Sequence, residues 1–267
     1  DGNTADGGST SDQSMTYDTR ADLTLNGYIK TGYTFTGWNT QQDGGGTAYT
    51  DGQNVINLTA VEGETVTLYA QWRANNYTIK FDGNTADSGS TQDQVMTYDQ
   101  AVNLTVNGYT KTGYTFTGWN TQADGGGTTF TDEQSVVNLS PNEGETVTLY
   151  AQWRANSYTV RFDGNSADGG KTPDQVMTYD QAMELPANGY TKTSYAFMGW
   201  NTRADGQGTG YAEGESVKNL TAADDDTVLL YAQWRLRTPN ITLNQNVSTH
   251  GDTITVTGAD FEPDAEI

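Results

Sequence analysis

The sequence predicts a mainly β protein, α+β at most, built from three tandem copies of one small module. Two observations carry that prediction. First, landmarks recur at a constant step of 81 residues. Gly37-Trp38-Asn39-Thr40 returns at Gly118–Thr121 and Gly199–Thr202, Tyr69-Ala70-Gln71-Trp72 at Tyr150–Trp153 and Tyr231–Trp234, and Met15-Thr16-Tyr17-Asp18 at Met96–Asp99 and Met177–Asp180. Second, each copy holds segments that alternate apolar with polar residues and are rich in aromatics and threonine, as half-buried strands are, whereas no segment has a convincing helical period. A step without insertion or deletion means that every copy forms the same unit, and such units form arrays.

The second copy serves as the template. Tyr77-Thr78-Ile79-Lys80-Phe81 places Tyr77, Ile79 and Phe81 on one face of a strand. Asp82 through Ser90 is turn and loop chemistry, rich in residues that tolerate a positive φ. Gln94–Tyr98 is a further strand candidate, and Asn107-Gly108 supplies a turn signal. Tyr114–Trp119 is a strong strand in which strict alternation sets Tyr114 and Phe116 opposite Trp119. Gly118 then marks a bulge that turns the tryptophan back towards the core. Asp124–Gly127 is a loop, and the stretch from Thr131 to Leu139 has room for one short helical turn capped by Thr131. Val147–Trp153 alternates cleanly, with Val147, Leu149, Ala151 and Trp153 sharing a face.

These elements divide the chain into repeat 1 (residues 1–75), repeat 2 (76–156), repeat 3 (157–237) and a tail (238–267). The first copy begins after the position of the Tyr77–Phe81 strand, so its core is expected to be incomplete there. Arg73-Ala74-Asn75-Asn76 and Arg154-Ala155-Asn156-Ser157 are the connectors. Four residues span at most ~14 Å, so neighbouring copies are expected to sit nearly in contact and to repeat one rotation, giving an elongated, semi-rigid, monomeric rod. After Trp234 the pattern breaks. Asn240–Leu243 and Asp252–Gly258 are predicted strands, resembling the opening of an immunoglobulin-like module.

Composition limits the chemistry. Modules this small bury only about 60% of their unfolded surface, so the 6 Trp, 16 Tyr and 7 Phe have to supply compact aromatic cores. The net charge of −21 argues against nucleic acid and anionic lipid as partners, because no basic stripe is present to neutralise phosphates. The acidity fits solubility and self-repulsion. With no cysteine there is neither a disulfide framework nor a thiolate metal site. No apolar run is long enough to span a bilayer as a helix, so direct membrane insertion is not expected.

The motif Gly-Tyr-x-Phe-x-Gly-Trp followed by Leu-Tyr-Ala-x-Trp resembles the Listeria–Bacteroides repeat, also called the internalin B-repeat. In the second copy it comprises Gly113, Tyr114, Phe116, Gly118 and Trp119, then Leu149, Tyr150, Ala151 and Trp153. The first copy matches through Gly32, Tyr33, Phe35, Gly37 and Trp38, then Leu68, Tyr69, Ala70 and Trp72. The third departs only at Ser194, where the other copies have glycine. The resemblance implies small β-grasp-like modules, similar to ubiquitin or SUMO in topology. It also implies an extracellular setting, on a bacterial surface or in a secreted protein, where such repeats space a functional domain from the cell wall or stand beside catalytic domains. It brings no catalytic residue, cofactor or common ligand. A multivalent array for a host protein or glycan is the alternative, and accessory modules of a secreted glycoside hydrolase a third.

Candidate sites are weighed on the same residues. Nucleophilic catalysis is disfavoured, since the one histidine, His250, lies in the tail; the chain is not expected to be an enzyme, and no catalytic, cofactor or metal residue is assigned. The tryptophans are expected in the core, Trp119, Trp153, Trp200 and Trp234 among them, rather than as a sugar platform. Tyr69 and Tyr150 are better placed for an exposed contact. Asp82–Asp87, recurring as Asp1–Asp6 and Asp163–Asp168, has oxygen chemistry suited to calcium but not the EF-hand spacing, and turn formation accounts for it. Lys30, Lys111 and Lys192 raise the thought of isopeptide cross-links, but nothing in the sequence sets a lysine beside a buried acid, and solvated lysines are the preferred reading.

Overall fold

The computed structural model describes residues 1–238, 240–243 and 256–259, and every regular element among them is a strand. The chain divides into two compact units, residues 1–110 with 116–152 and residues 111–115 with 153–267.

In the second unit, the third repeat forms a five-stranded sheet ordered Gln175–Thr178, Ser157–Asp163, Asp226–Leu236, Tyr195–Asn201, Gly210–Tyr211. The two strands Ser157–Asp163 and Asp226–Leu236 are parallel, and the other pairs are antiparallel. A parallel pair needs a long crossover, and here the whole intervening chain serves as one. Alternation places Tyr158, Val160 and Phe162 on the inner face, where they meet Met177, Leu185, Trp200, Val217, Leu230 and Ala232. The expected bulge is present. Register jumps between Phe197 and Gly199, leaving Met198 as the extra residue, and Gly199 adopts φ 131. Phe197 and Trp200, three residues apart, therefore both pack on the core, with ring centroids 4.9 Å apart.

The tail contributes one antiparallel pair, Asn240–Leu243 with Val256–Ala259. The predicted immunoglobulin-like opening rests mostly on residues outside the described ones, as do Asp252–Thr255 and His250.

In the first unit, the second repeat buries Tyr77, Ile79 and Phe81 on one face, and its sheet has the same five-strand order. The first repeat has a three-stranded sheet, Ala48–Tyr49, Tyr33–Asn39, Tyr69–Ala74. Its core is smaller. Met15 and Leu68 are only half-buried, whereas Met96, Met177, Leu149 and Leu230 are fully buried.

Three expectations need correction. Thr131–Leu139 holds no helical turn. Gln134 closes a tight turn, its Oε1 accepting the Thr131 N–H at 2.8 Å, and Glu133 takes a left-handed φ of 54 that no helix continues through. The chain then enters the short strand Ser135–Val136, paired with Val102–Asn103. At Asn107-Gly108 the signalled turn is closed by the asparagine side chain. Asn107 Oδ1 accepts the Tyr109 N–H at 3.0 Å, and the chain runs on into Tyr109–Thr110, paired with Ser88–Gly89. Glycine is needed at 89, because a Cβ there would lie 2.0 Å from the Gly108 carbonyl oxygen.

The tryptophans are not all core residues. Trp38, Trp119 and Trp200 are buried, whereas Trp72, Trp153 and Trp234 are half-buried. Trp72 and Trp234 still pack on their cores and donate their indole N–H groups to Gly2 O and Gly164 O at 3.0 and 2.9 Å. The last strand carries these rings near its end, beyond the fully covered Ala70 and Ala232. The four-residue connectors, too, largely disappear into strands. Tyr69–Ala74 is followed by Asn76–Asp82, and Thr146–Ala155 by Ser157–Asp163, so a single residue separates them.

Candidate functional site: the junctions between repeats

That single residue, Asn75 or Asn156, is buried to 6% exposure and has a hydrogen-bond partner at each of its polar atoms. Asn75 donates its N–H to Gly32 O at 2.8 Å, and its carbonyl accepts the Tyr98 N–H at 2.9 Å. Its side-chain Oδ1 accepts the Thr34 hydroxyl at 2.6 Å, while Nδ2 donates to Pro141 O at 2.8 Å. Asn156 repeats the arrangement with Gly113, Tyr179, Thr115 and Ala222, all within the second unit. A buried amide with a partner at every polar atom ties one copy to the next, since breaking any of these bonds strands a desolvated polar atom.

Around the asparagine lies an aromatic contact. The Tyr98 ring covers Gly32 so closely that a Cβ there would meet ring atoms at 2.3 Å, and Tyr179 covers Gly113 in the same way. Tyr33 packs edge-on against Tyr98, and Tyr114 against Tyr179, at 6.0 and 5.9 Å. The Tyr33 hydroxyl donates to Asp99 Oδ2 at 2.9 Å, and that of Tyr114 to Asp180 Oδ2 at 3.0 Å. Each carboxylate is held from behind by an asparagine amide, Asn138 or Asn219, at 2.7 and 2.8 Å. Lys30, Lys111 and Lys192 place their ammonium groups 4.2–4.8 Å over the rings of Tyr33, Tyr114 and Tyr195, so the lysines raised as cross-link candidates sit on tyrosine rings, Lys30 and Lys111 on those at the junctions. Arg73 with Glu143 and Arg154 with Asp224 close the outer side at 3.1 and 2.6 Å. These pairs are half-exposed and worth little by themselves.

Hydrogen bonding to a carboxylate favours the neutral phenol, so the Asp99 and Asp180 contacts push Tyr33 and Tyr114 above the ordinary tyrosine range. Asp180 lies below the usual carboxylate range, chiefly through the Asn219 amide and next through Tyr114. The sign follows from linkage. The tyrosine contribution is complete below the unfolded value of about 10 and is lost as pH rises through the folded value; the Asp180 contribution is present above about 3.9 and is lost as pH falls through its folded value. In an alkaline NMR titration of tyrosine ring carbons, Tyr33 and Tyr114 should ionise above the ordinary tyrosine range. Asp180→Asn should bring Tyr114 down and leave Tyr33 in place. Titration of Tyr114 within the ordinary tyrosine range in the unmodified chain would contradict the contact.

The loops considered for calcium are built as turns. Asp82 Oδ1 accepts the Asn84 N–H at 2.8 Å, and Asn84 Nδ2 reaches Ala123 O and Ala151 O, both at 2.8 Å. Asp168 accepts the Thr193 N–H at 2.6 Å, a bond that leads the causes of its lowered pKa. The loop lines a shallow hollow with Tyr109. Among the described residues, no three of His, Cys, Asp and Glu converge as metal ligands. Tyr69 and Tyr150 are half-buried.

The model of the Listeria-Bacteroides repeat domain matches residues 3–71, 77–152 and 158–233. The chain belongs to the Listeria-Bacteroides repeat family. Two relatives from Evansella cellulosilytica, named "Putative Gly-rich membrane protein" and "Putative membrane protein", are 34% and 31% identical over 81% and 76% of this chain. Internalin H of Listeria monocytogenes is 37% identical over 47% of it. The matched regions span 24%, 28% and 20% of those relatives, so the chain corresponds to a quarter or so of their length. Within this family frame, the first glycine and tyrosine of the motif are junction residues at Gly32-Tyr33 and Gly113-Tyr114. Periodicity alone did not reveal that role, because the partners, Tyr98 and Tyr179, lie 66 residues further on. The available signal was the recurrence of Tyr-Asp at the close of the Met-Thr-Tyr-Asp landmark.

Proposed function

We propose that this chain is a spacer: an extracellular repeat region of a bacterial surface or secreted protein that holds another domain at a distance. The observation that supports it best is the junction. Where flexible arrays place solvated linkers, this chain places one buried, hydrogen-bonded asparagine, flanked by an aromatic lock and an ion pair. Such joints resist swivelling and are costly to open. Membership in the Listeria-Bacteroides repeat family, and relatives named as membrane proteins and as an internalin, favour a surface setting. The acidic charge keeps neighbouring copies of the protein apart. In this reading the chain is a monomer that performs no chemistry and binds no nucleic acid.

Small-angle scattering tests it on chains in which repeat 2 is deleted, kept or duplicated. Maximum dimension should grow by a constant increment per copy while the cross-section stays fixed. A dimension indifferent to copy number, or profiles fitted only by mixtures of bent shapes, would defeat the spacer reading. Saturable glycan or calcium binding by the same chains would replace it with a multivalent binding array.

A further inference from the structure

The third copy departs from the first two at the junction residues themselves. Residue 194 is serine where 32 and 113 are glycine, residue 196 is alanine where 34 and 115 are threonine, and residue 237 is arginine where 75 and 156 are asparagine. Elsewhere the motif continues unbroken through Tyr195, Phe197, Gly199 and Trp200. The three substitutions touch three separate parts of one device. Glycine makes room for the next copy's tyrosine ring, threonine orients the asparagine amide, and asparagine bonds to both copies.

The backbone of the third copy is nevertheless set as in the others. Ser194 keeps the left-handed φ, 63 against 75 and 74 at Gly32 and Gly113, and its carbonyl accepts the Arg237 N–H at 2.8 Å, as Gly32 and Gly113 accept Asn75 and Asn156. The serine Cβ therefore points where the tyrosine ring lies in the other two copies, at a separation of 2.3 Å from where ring atoms would be. That is far inside van der Waals contact. Ala196 has no hydroxyl to donate to an amide. Arg237 directs its Nε to Tyr195 O at 3.1 Å, within its own copy.

We infer that residues 194, 196 and 237 make the third copy a closed end, unable to seat a further repeat of this kind, whereas glycine, threonine and asparagine at the matching positions select a following repeat. The partner that this surface recognises is thus chemically defined: a Tyr-Asp pair at a strand end, with the tyrosine ring lying flat on a glycine. Its test is separable from the spacer reading, since it concerns which copies can dock and not what the array projects.

Transplanting the closed end into an occupied junction tests the inference in the full chain. The Tyr179 N–H, which bonds to Asn156 O at 2.8 Å, reports the junction between repeats 2 and 3. The Tyr98 N–H reports the other junction and serves as an internal control. In Gly113→Ser, exchange of the Tyr179 amide should accelerate by at least about tenfold, while the amides of Tyr98, Val160 and Leu230 keep their protection. Adding Thr115→Ala and Asn156→Arg should abolish the protection altogether. Retained protection at Tyr179 in the triple variant would overturn the inference. Should Gly113→Ser unfold repeat 2, adding Tyr179→Ala should restore it by removing the ring that the new side chain meets; failure to restore it would assign the damage to local strain and likewise overturn the inference.

Discussion

Replacing Trp200 by alanine is expected to cost the third repeat about 3–5 kcal/mol, the range for removing a fully buried large side chain. The ring is 1% exposed and touches the core on three sides, with Phe162, Phe197 and Tyr190 centroids at 4.6, 4.9 and 6.3 Å. Its indole nitrogen is buried without a hydrogen-bond partner, so alanine forfeits no polar interaction and the loss is one of packing. A domain of this size has no second core to fall back on. Trp234→Ala should cost less, about 2 kcal/mol, because the ring is half-buried and contributes its edge packing and one bond to Gly164 O. Tandem repeats need not unfold together, so the measurement is urea unfolding followed through residue-resolved signals of repeat 3. Equal effects at the two positions, or a near-zero effect at Trp200, would contradict the core described here.

Sequence patterns revealed the parts of this fold that depend on neighbours along the chain. Tyr77, Ile79 and Phe81 announce an inward face because alternation has the period of a strand, and all three are buried. The bulge before the buried tryptophan was legible because an aromatic residue stood out of phase beside a glycine. Thr131–Leu139 was misread because its polar, capped beginning suits a helix start as well as a tight turn; the left-handed Glu133 and the Gln134 side chain, which decide it, leave no periodic trace. The half-exposure of Trp153 and Trp234 escaped for a different reason. Alternation states which face a residue occupies, not how far the opposing layer extends over it.

The junction was the least legible feature, for the same physical reason. Asn75 looks like an ordinary connector residue until Pro141 and Tyr98 are brought to it, and Gly32 looks like a strand-start glycine until the Tyr98 ring covers it. These contacts span 23 to 66 residues of sequence, beyond any local pattern. The same applies to the acidic loops: their carboxylates suggested a cation by composition, yet Asp82 and Asp168 accept backbone N–H groups within their own copies. Small recurring residues at such positions are better read as contact requirements than as linker chemistry.

Gly199→Ala is expected to be as damaging as the loss of the tryptophan, although it adds a single methyl group. The residue sits at φ 131, a conformation essentially confined to glycine, which carries a cost of order 1–3 kcal/mol for any other residue. In addition, a Cβ at this position would lie 2.6 Å from the Tyr211 carbonyl oxygen, on the edge strand that pairs with Trp200 and Asn201. Backbone rather than a flexible side chain is in the way, so relief requires either separating that strand or removing the bulge. Removing the bulge shifts the register by one residue and turns Trp200 to the outer face, where the core loses its largest ring. Both routes converge on a total of roughly 3–5 kcal/mol, by the cost of the cavity left behind. Gly210→Ala is the control: it lies on the same edge strand with no positive φ, and its new methyl would have only ordinary contacts at 3.7 Å or beyond. Urea unfolding resolved to repeat 3 should show a large loss for the first variant and less than about 1 kcal/mol for the second. If Gly199→Ala unfolded at the same denaturant concentration as Gly210→Ala, the bulge would not be what returns Trp200 to the core.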